Sequence, residues 1–166
     1  MATLIAIPVL GILAILQAAL VSRLPLLHGT ADVLLLMIVA WALHKRVDTA
    51  WQWCIIGGLM MNIISAVPLG VPLIGYSLST ALALALRRRV WQVPLLAMFL
   101  VTFLGTLTTQ GITLLALRVT GSPIPIPEAL NLVILPAILL NLLFAVPAYA
   151  LATELADWLY PEEIKV

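Results

Sequence analysis

The chain has 166 residues, of which 64% are hydrophobic and 9% are charged. Soluble domains average about 25% charged residues, so this composition excludes a water-soluble globule and predicts a polytopic membrane protein. Eight basic and seven acidic residues give a net charge of +1, which gives no indication of nucleic-acid binding. Six spans of about 20 residues would occupy most of the chain. We therefore expect one integral membrane domain, residues 1–166, without a separate soluble catalytic domain.

Apolar runs predict six transmembrane helices in chain order, each ending at charged residues, at proline or at a loop. The predicted spans cover residues 4–21, 26–43, 50–67, 71–86, 93–117 and 129–151. The first run has no Lys or Arg before it and is long enough to stay in the membrane, so we do not expect a cleaved signal peptide. The predicted fold class is an all-α six-transmembrane-helix bundle.

The orientation follows from the Lys and Arg residues of the short loops. The second and fourth connections carry five of them: Lys45, Arg46, Arg87, Arg88 and Arg89. Lys165 lies on the same side, whereas the opposite side has only Arg23 and Arg118. This bias predicts that both termini are cytoplasmic, and that Glu154 and Asp157 neutralise part of the basic loops. The tryptophans near the predicted cytoplasmic ends are expected to be interfacial anchors: Trp41, Trp51, Trp53, Trp91 and Trp158.

The fifth span carries a stripe of hydroxyl side chains. Thr102, Thr106, Thr109 and Thr113 follow one another at helical spacing, which places them on one face of a helix. Such stripes let helix backbones approach closely and form hydrogen bonds, and this packing role is the favoured interpretation. The alternative is a wall that lines a ligand pocket, with Gln110 beside it.

Other predicted spans also have polar or small faces. In the third span this face is Cys54, Gly58, Asn62 and Ser65, and a mid-span Asn needs a hydrogen-bond partner. The fourth span offers a small-residue ridge of Ser77, Ala81 and Ala85. In the sixth span, Asn131, Asn141, Pro136 and Pro147 predict a kinked helix buried in the bundle.

Asp32, two residues after Thr30, is an acidic residue near the start of a predicted span. Its favoured role is to cap the second helix; the alternatives are a proton or cation site, or a pair with a basic group of a partner. Cys54 is the only cysteine, and His28 and His44 flank the second span on opposite sides. Neither arrangement predicts a metal site. HExxH, GxSxG, P-loop and GxGxxG patterns are missing from the sequence, so we expect neither an enzyme nor a cofactor.

Three segments carry recognisable motifs: residues 31–43, 57–70 and 135–149. They resemble segments of the MreD family of rod shape-determining membrane proteins. The run from Ala31 to Leu43 resembles that family's "PDLLL…WAL" segment, with Ala31 in place of the common Pro. The stretch from Gly57 to Gly70 is similar to its "G…D-x-x-S-x-x-PLG" segment, with Asn62 in place of the usual Asp. Tyr76 and an arginine cluster follow, and Leu135 to Tyr149 is similar to the family's final span.

This resemblance implies a non-enzymatic scaffold of the bacterial cell-wall elongation (Rod) complex in the cytoplasmic (inner) membrane. The implied partners are MreC, then RodA and a class B penicillin-binding transpeptidase in the wider complex, MreB indirectly, and membrane lipid. The implied fold is similar to the substrate-binding subunits of energy-coupling-factor transporters. We expect partner contacts on the periplasmic side at Asp32, at the turn Pro68, Leu69 and Gly70, and at the stiff loop 121–127 with Pro123 and Pro125.

Two other functions remain open. In a substrate-binding subunit of a vitamin-type transporter, the Thr stripe with Asn62 and Gln110 would line the pocket. Lipid II handling would require a basic cavity, and it is the least favoured because the outer side has only Arg23 and Arg118.

Overall fold

The computed structural model describes residues 2–19, 28–88, 93–121 and 125–161. Helices make up 83% of these residues, and no strand occurs among them. Six helices follow one another in this part of the chain: α1 (Ala2–Ala19), α2 (Val33–Leu43), α3 (Ala50–Ile64), α4 (Val71–Arg87), α5 (Pro94–Val119) and α6 (Ile126–Leu159). The predicted all-helical fold is thus confirmed for the described residues.

Three of these helices, α1, α5 and α6, are long and apolar enough to cross a membrane. The helices α2, α3 and α4 have 11, 15 and 17 residues, which corresponds to roughly 17 to 26 Å at 1.5 Å per residue. The hydrocarbon core of a bilayer is about 30 Å thick. The three shorter helices therefore fall short of a full crossing as regular helices.

A nearby capping residue or proline explains three of the helix boundaries that differ from those of the predicted spans. The helix α2 begins at Val33 and not near Leu26, because Asp32 caps it. The helix α3 ends at Ile64, ahead of Pro68, which disfavours helical geometry in the residue before it. The helix α6 begins at Ile126, within the predicted 121–127 loop, since Pro127 fits the first helical turn, where no N–H is needed.

The segment before α2 lies directly against the backbone of α6. Pro136 has no N–H, so the carbonyl of Leu132 lacks its usual helical donor; it accepts instead from the His28 N–H at 2.9 Å. This part of α6, Ala129–Ile134, is a π-helix, a form that often appears as a single-turn bulge in α-helices. A Cβ at Gly29 would lie 2.6 Å from the Ala137 nitrogen, so the close approach requires glycine.

Contacts between loops and helix ends define two ends of the bundle. At one end the Trp53 indole donates to the Ala2 carbonyl, and Arg46 forms an ion pair with Asp157 at 3.3 Å. We call this the basic end, since Lys45, Arg46, Arg87 and Arg88 lie there. Consecutive helices run in alternating directions between it and the opposite end. The expected neutralisation of a basic loop by Asp157 is present.

The interior of the basic end contains two tryptophans that were predicted to be interfacial anchors. Trp41 and Trp53 are fully buried and stacked, with ring centroids 4.2 Å apart. Their indole N–H groups donate to Thr49 and to Ala2, which lets these large rings be buried without an unpaired polar group. The anchor prediction is therefore wrong for both. Trp51 and Trp158 are exposed, and Trp91 lies outside the described residues.

The helices α4 and α5 pack closely through a reciprocal pair of glycines. A Cβ at Gly75 would lie 2.8 Å from the Thr109 hydroxyl, and a Cβ at Gly105 would lie 2.9 Å from the Ser79 hydroxyl. The buried small residues of α4 are thus Gly75, Ser79 and Ala83. The predicted Ser77–Ala81–Ala85 ridge is not this face: Ala81 and Ala85 are exposed, while Ser77 contacts Cys54 on α3 at 3.7 Å.

Candidate functional site

The polar side chains of four helices meet around Asp32. The Oδ1 atom of Asp32 accepts from the Leu35 N–H at 3.0 Å and so caps α2, as the favoured interpretation predicted. The Tyr76 hydroxyl on α4 lies 2.6 and 2.8 Å from the two carboxylate oxygens and donates to them. The carboxylate is thus held by groups within the protein, and it faces the interior of the bundle.

Asn141 extends this arrangement to α5 and α6. Its Oδ1 atom accepts from the Asp32 N–H at 2.7 Å, and its Nδ2 atom donates to the Thr106 hydroxyl at 2.8 Å. Asn141 and Thr106 are each 1% exposed. We call Asp32, Tyr76, Asn141 and Thr106 the Asp32 network. Its members satisfy one another, and a satisfied buried network makes a fold rigid and specifies it.

A cavity of about 170 Å³ adjoins the Asp32 network towards the end of the bundle opposite the basic end. Its polar lining includes Gln17, Asp32, Thr109, Gln110 and Thr113. Gln17 accepts from the Leu34 N–H at 3.2 Å, so α1 also contacts the start of α2. A second cavity, of about 310 Å³, shares Gln17 with the first. Together they offer hydroxyl, amide and carboxylate groups to a polar ligand.

The Thr stripe of α5 divides into two parts. Thr102 and Thr106 are buried between helices, whereas Thr109 and Thr113 line the cavity. The Thr113 hydroxyl donates to the Thr109 carbonyl; the Thr109 hydroxyl is buried and unpaired within the described ranges. Thr109 also packs against Gly75 on α4. The stripe therefore packs between helices, and Thr109 and Thr113 line the cavity as well.

Asn62 holds the turn between α3 and α4. Its Oδ1 atom accepts from the Gly70 N–H at 3.1 Å, and Gly70 has a φ of 89°, which favours glycine. Asn62 is not part of the cavity lining, unlike Ser65. The partner that a mid-span Asn requires is therefore the backbone of the turn.

The predicted docking residues do not all present exposed surface. Leu69 is 88% exposed, and Pro125 is exposed at the start of α6. Pro68 and Gly70 are half-buried, and Asp32 is directed inward to Tyr76. Pro123 lies outside the described residues. Leu69 is thus the side chain of the turn that is open to a partner.

Sequence reasoning did not assign a role to Tyr76 or Gln17 in the site. Gln17 is a polar residue inside the first apolar run, and such residues in membrane segments often have a function. For Tyr76 the spacing gives no comparable signal, because its contact with Asp32 joins residues 44 positions apart. Among the described residues, no group of three His, Cys, Asp or Glu side chains could hold a metal ion.

Comparison with known proteins adds no assignment. No family model, curated protein or solved structure matches the chain.

Proposed function

We propose that the chain is a non-enzymatic membrane scaffold of the MreD type, with six helices across the bacterial inner membrane and both termini in the cytoplasm. The observation that supports it best is the Asp32 network, which joins α2, α4, α5 and α6 through paired polar groups. These groups fix the helices to one another. A stiff bundle of this kind suits a scaffold, which must hold partners in a constant arrangement.

The alternating helix directions support six crossings. Because consecutive helices alternate in direction, the loops that carry Lys45, Arg46, Arg87 and Arg88 lie at the same end of the bundle. This is the distribution expected at a cytoplasmic surface. Residues 28–32, which precede α2, add roughly 16 Å if extended. Such non-helical backbone is acceptable at membrane depth when it is buried in protein, and here it lies against α6. Local thinning of the bilayer accommodates the remaining mismatch.

The proposed contact with MreC lies at the turn between α3 and α4. Leu69 is 88% exposed, and Ile63 on α3 is 85% exposed near the same end of the bundle. An apolar group held at a fixed turn at the membrane surface can enter a pocket of the partner. RodA and the class B penicillin-binding transpeptidase would join through the wider complex, and MreB indirectly.

The test is co-purification in mild detergent, with every co-eluting protein identified by mass spectrometry. We expect MreC in near-stoichiometric amount, and a several-fold loss of it in Leu69→Asp. The matched control is Trp158→Asp, because Trp158 is also strongly exposed but lies at the basic end. If MreC is not recovered with the unchanged protein, or if it is retained equally by Leu69→Asp, the proposed contact is wrong.

A second candidate is a substrate-binding subunit of a small-molecule transporter, and the cavity with Gln17, Gln110, Thr109 and Thr113 favours it. The same purification distinguishes the two candidates. A vitamin-like compound retained through purification, or a co-eluting transporter ATPase module without MreC, would establish transport. Gln110→Leu should then lower the amount of retained compound, while in a scaffold it should leave MreC recovery unchanged.

A further inference from the structure

A separate cavity of about 230 Å³ lies at the basic end, far from the Asp32 network. Its polar side is formed by His44, Lys45, Arg46 and Arg87. Its other side is apolar and includes Ala97 on α5. A water molecule takes up about 30 Å³, so the space accommodates a phosphate group and part of its ester.

Arg87 is held in place by the loop between α2 and α3. Its Nη1 atom donates to the carbonyls of His44 at 3.0 Å and Val47 at 2.7 Å. Within the described part of the chain these bonds use Nη1 alone, so the Nε and Nη2 protons remain for a ligand. A guanidinium that is oriented in advance loses less entropy when it binds an oxyanion.

The charge of the lining is one-sided. Lys45, Arg46 and Arg87 contribute three positive charges, and the described residues that line the cavity include no carboxylate. Asp157 lies 3.3 Å from Arg46 and 3.9 Å from His44, and its side chain is more than half exposed. It neutralises part of this charge from outside the cavity.

We propose that this cavity binds a phosphate group, and that its usual source is the phosphodiester headgroup of an acidic membrane lipid. Basic pockets between helices on the cytoplasmic side bind such headgroups, and Arg matches the geometry of phosphate oxygens. The apolar wall offers a surface for the lipid glycerol and upper chains that a free phosphate would not use. This proposal rests on the proposed orientation, in which the basic end faces the cytoplasm, but it does not require the MreC contact. Each of the two proposals can therefore be refuted without the other.

The test uses the full chain, delipidated in mild detergent, with native mass spectrometry at equal concentrations of phosphatidylglycerol and phosphatidylcholine. We expect phosphatidylglycerol to be retained several-fold more. Each basic residue near a membrane surface contributes about a fivefold change in the binding of acidic lipid. Lys45→Gln should therefore lower the retention of phosphatidylglycerol about fivefold. The double variant Lys45→Gln with Arg46→Gln should lower it further. Arg118→Gln is the matched control, because it removes the same charge at the opposite end.

Two further measurements distinguish the alternatives. Ala97→Leu fills the cavity without changing charge and should also lower phosphatidylglycerol retention, with the melting temperature verifying the fold. The second measurement adds inorganic phosphate at millimolar concentration to the lipid-bound protein. Displacement of the lipid by inorganic phosphate would overturn the lipid source. Equal retention of the two lipids, or an equal loss in Arg118→Gln, would overturn the site.

Discussion

Asn141 on α6 joins three elements, since its side chain contacts the backbone before α2 and the Thr106 hydroxyl on α5. Asn141→Ala leaves both partners buried and unpaired. We expect it to lower the free energy of unfolding by about 1–2 kcal/mol, because such bonds in membranes contribute roughly 0.6 to 1.7 kcal/mol and unpaired groups cost more. Unfolding in detergent measures the change. Asn131→Ala is the control, as Asn131 is exposed on the same helix; equal loss in both would contradict the network.

The hydrogen bond between Tyr76 and Asp32 can be tested by substituting each residue. Tyr76→Phe removes the donor that lies 2.6 Å from a carboxylate oxygen and should lower the melting temperature. Asp32→Asn removes the charge that this donor stabilises. The double variant should therefore be more stable than the sum of the two single losses predicts. Simple additivity in a double-mutant cycle would show that the two side chains do not act together.

His44, at the basic end, predicts a dependence of stability on pH. Burial lowers the pKa of its imidazole below the usual 6.5, and Arg46 and Arg87 lower it further, while Asp157 raises it. The unfolded chain then binds a proton at a higher pH than the folded one, so stability decreases as the pH falls below about 6.5. Melting temperatures between pH 8 and pH 5 measure this. His44→Gln should flatten the curve; an unchanged slope would contradict the prediction.

At the scale of elements, the contact between the segment before α2 and the helix α6 depends on Gly29. Gly29→Ala would bring a Cβ within 2.7 Å of two α6 backbone atoms, and backbone cannot move aside cheaply. We expect a loss of about 1–3 kcal/mol in the free energy of unfolding. Gly11→Ala is the matched control, because nothing lies within 4 Å of the added Cβ and alanine favours a helix. It should be neutral or stabilising, and a similar loss in both would refute the contact.

The sequence predicts an element well when the residues that begin and end it lie next to its boundaries in the sequence. The helix α4 runs Val71–Arg87, close to the predicted 71–86, because Gly70 and Pro72 begin it and arginines end it. The start of α2 was placed too early, since the bond from His28 to Leu132 joins residues distant in sequence. Periodicity groups side chains on one face of α4, but it does not tell which face meets α5, and so the buried small residues were displaced by two positions.

At the scale of the whole molecule, the sequence predicted apolar helices and most polar members of the site, but not the contacts between these polar residues. Asp32, Asn141 and the Thr stripe stand out because polar groups are costly in hydrocarbon. Their partners follow from the packing of helices, which composition does not specify. The division of the stripe illustrates this: Thr106 bonds to Asn141, whereas Thr109 faces the cavity, although both share one helical face.

The arrangement of the whole chain across the membrane can be tested with single cysteines. Cys54 is buried, so Cys54→Ala gives a background without thiols. In that background Leu69→Cys and Asp48→Cys place one exposed thiol at each end of the bundle. With six crossings and cytoplasmic termini, a membrane-impermeant maleimide added to cells with a permeabilised outer membrane should label Leu69→Cys and leave Asp48→Cys unlabelled.

Rupture of the inner membrane should then expose Asp48→Cys to the same reagent, which shows that its thiol is reactive. Labelling of Asp48→Cys alone in intact cells would invert the orientation, and it would place the basic cavity on the outer side, against the distribution of Lys and Arg that normally sets topology. Labelling of both positions in intact cells would mean that α3 does not complete a crossing. In that case only the longer helices α1, α5 and α6 would span the membrane, and the short helices would form a protein-lined layer on one side of it.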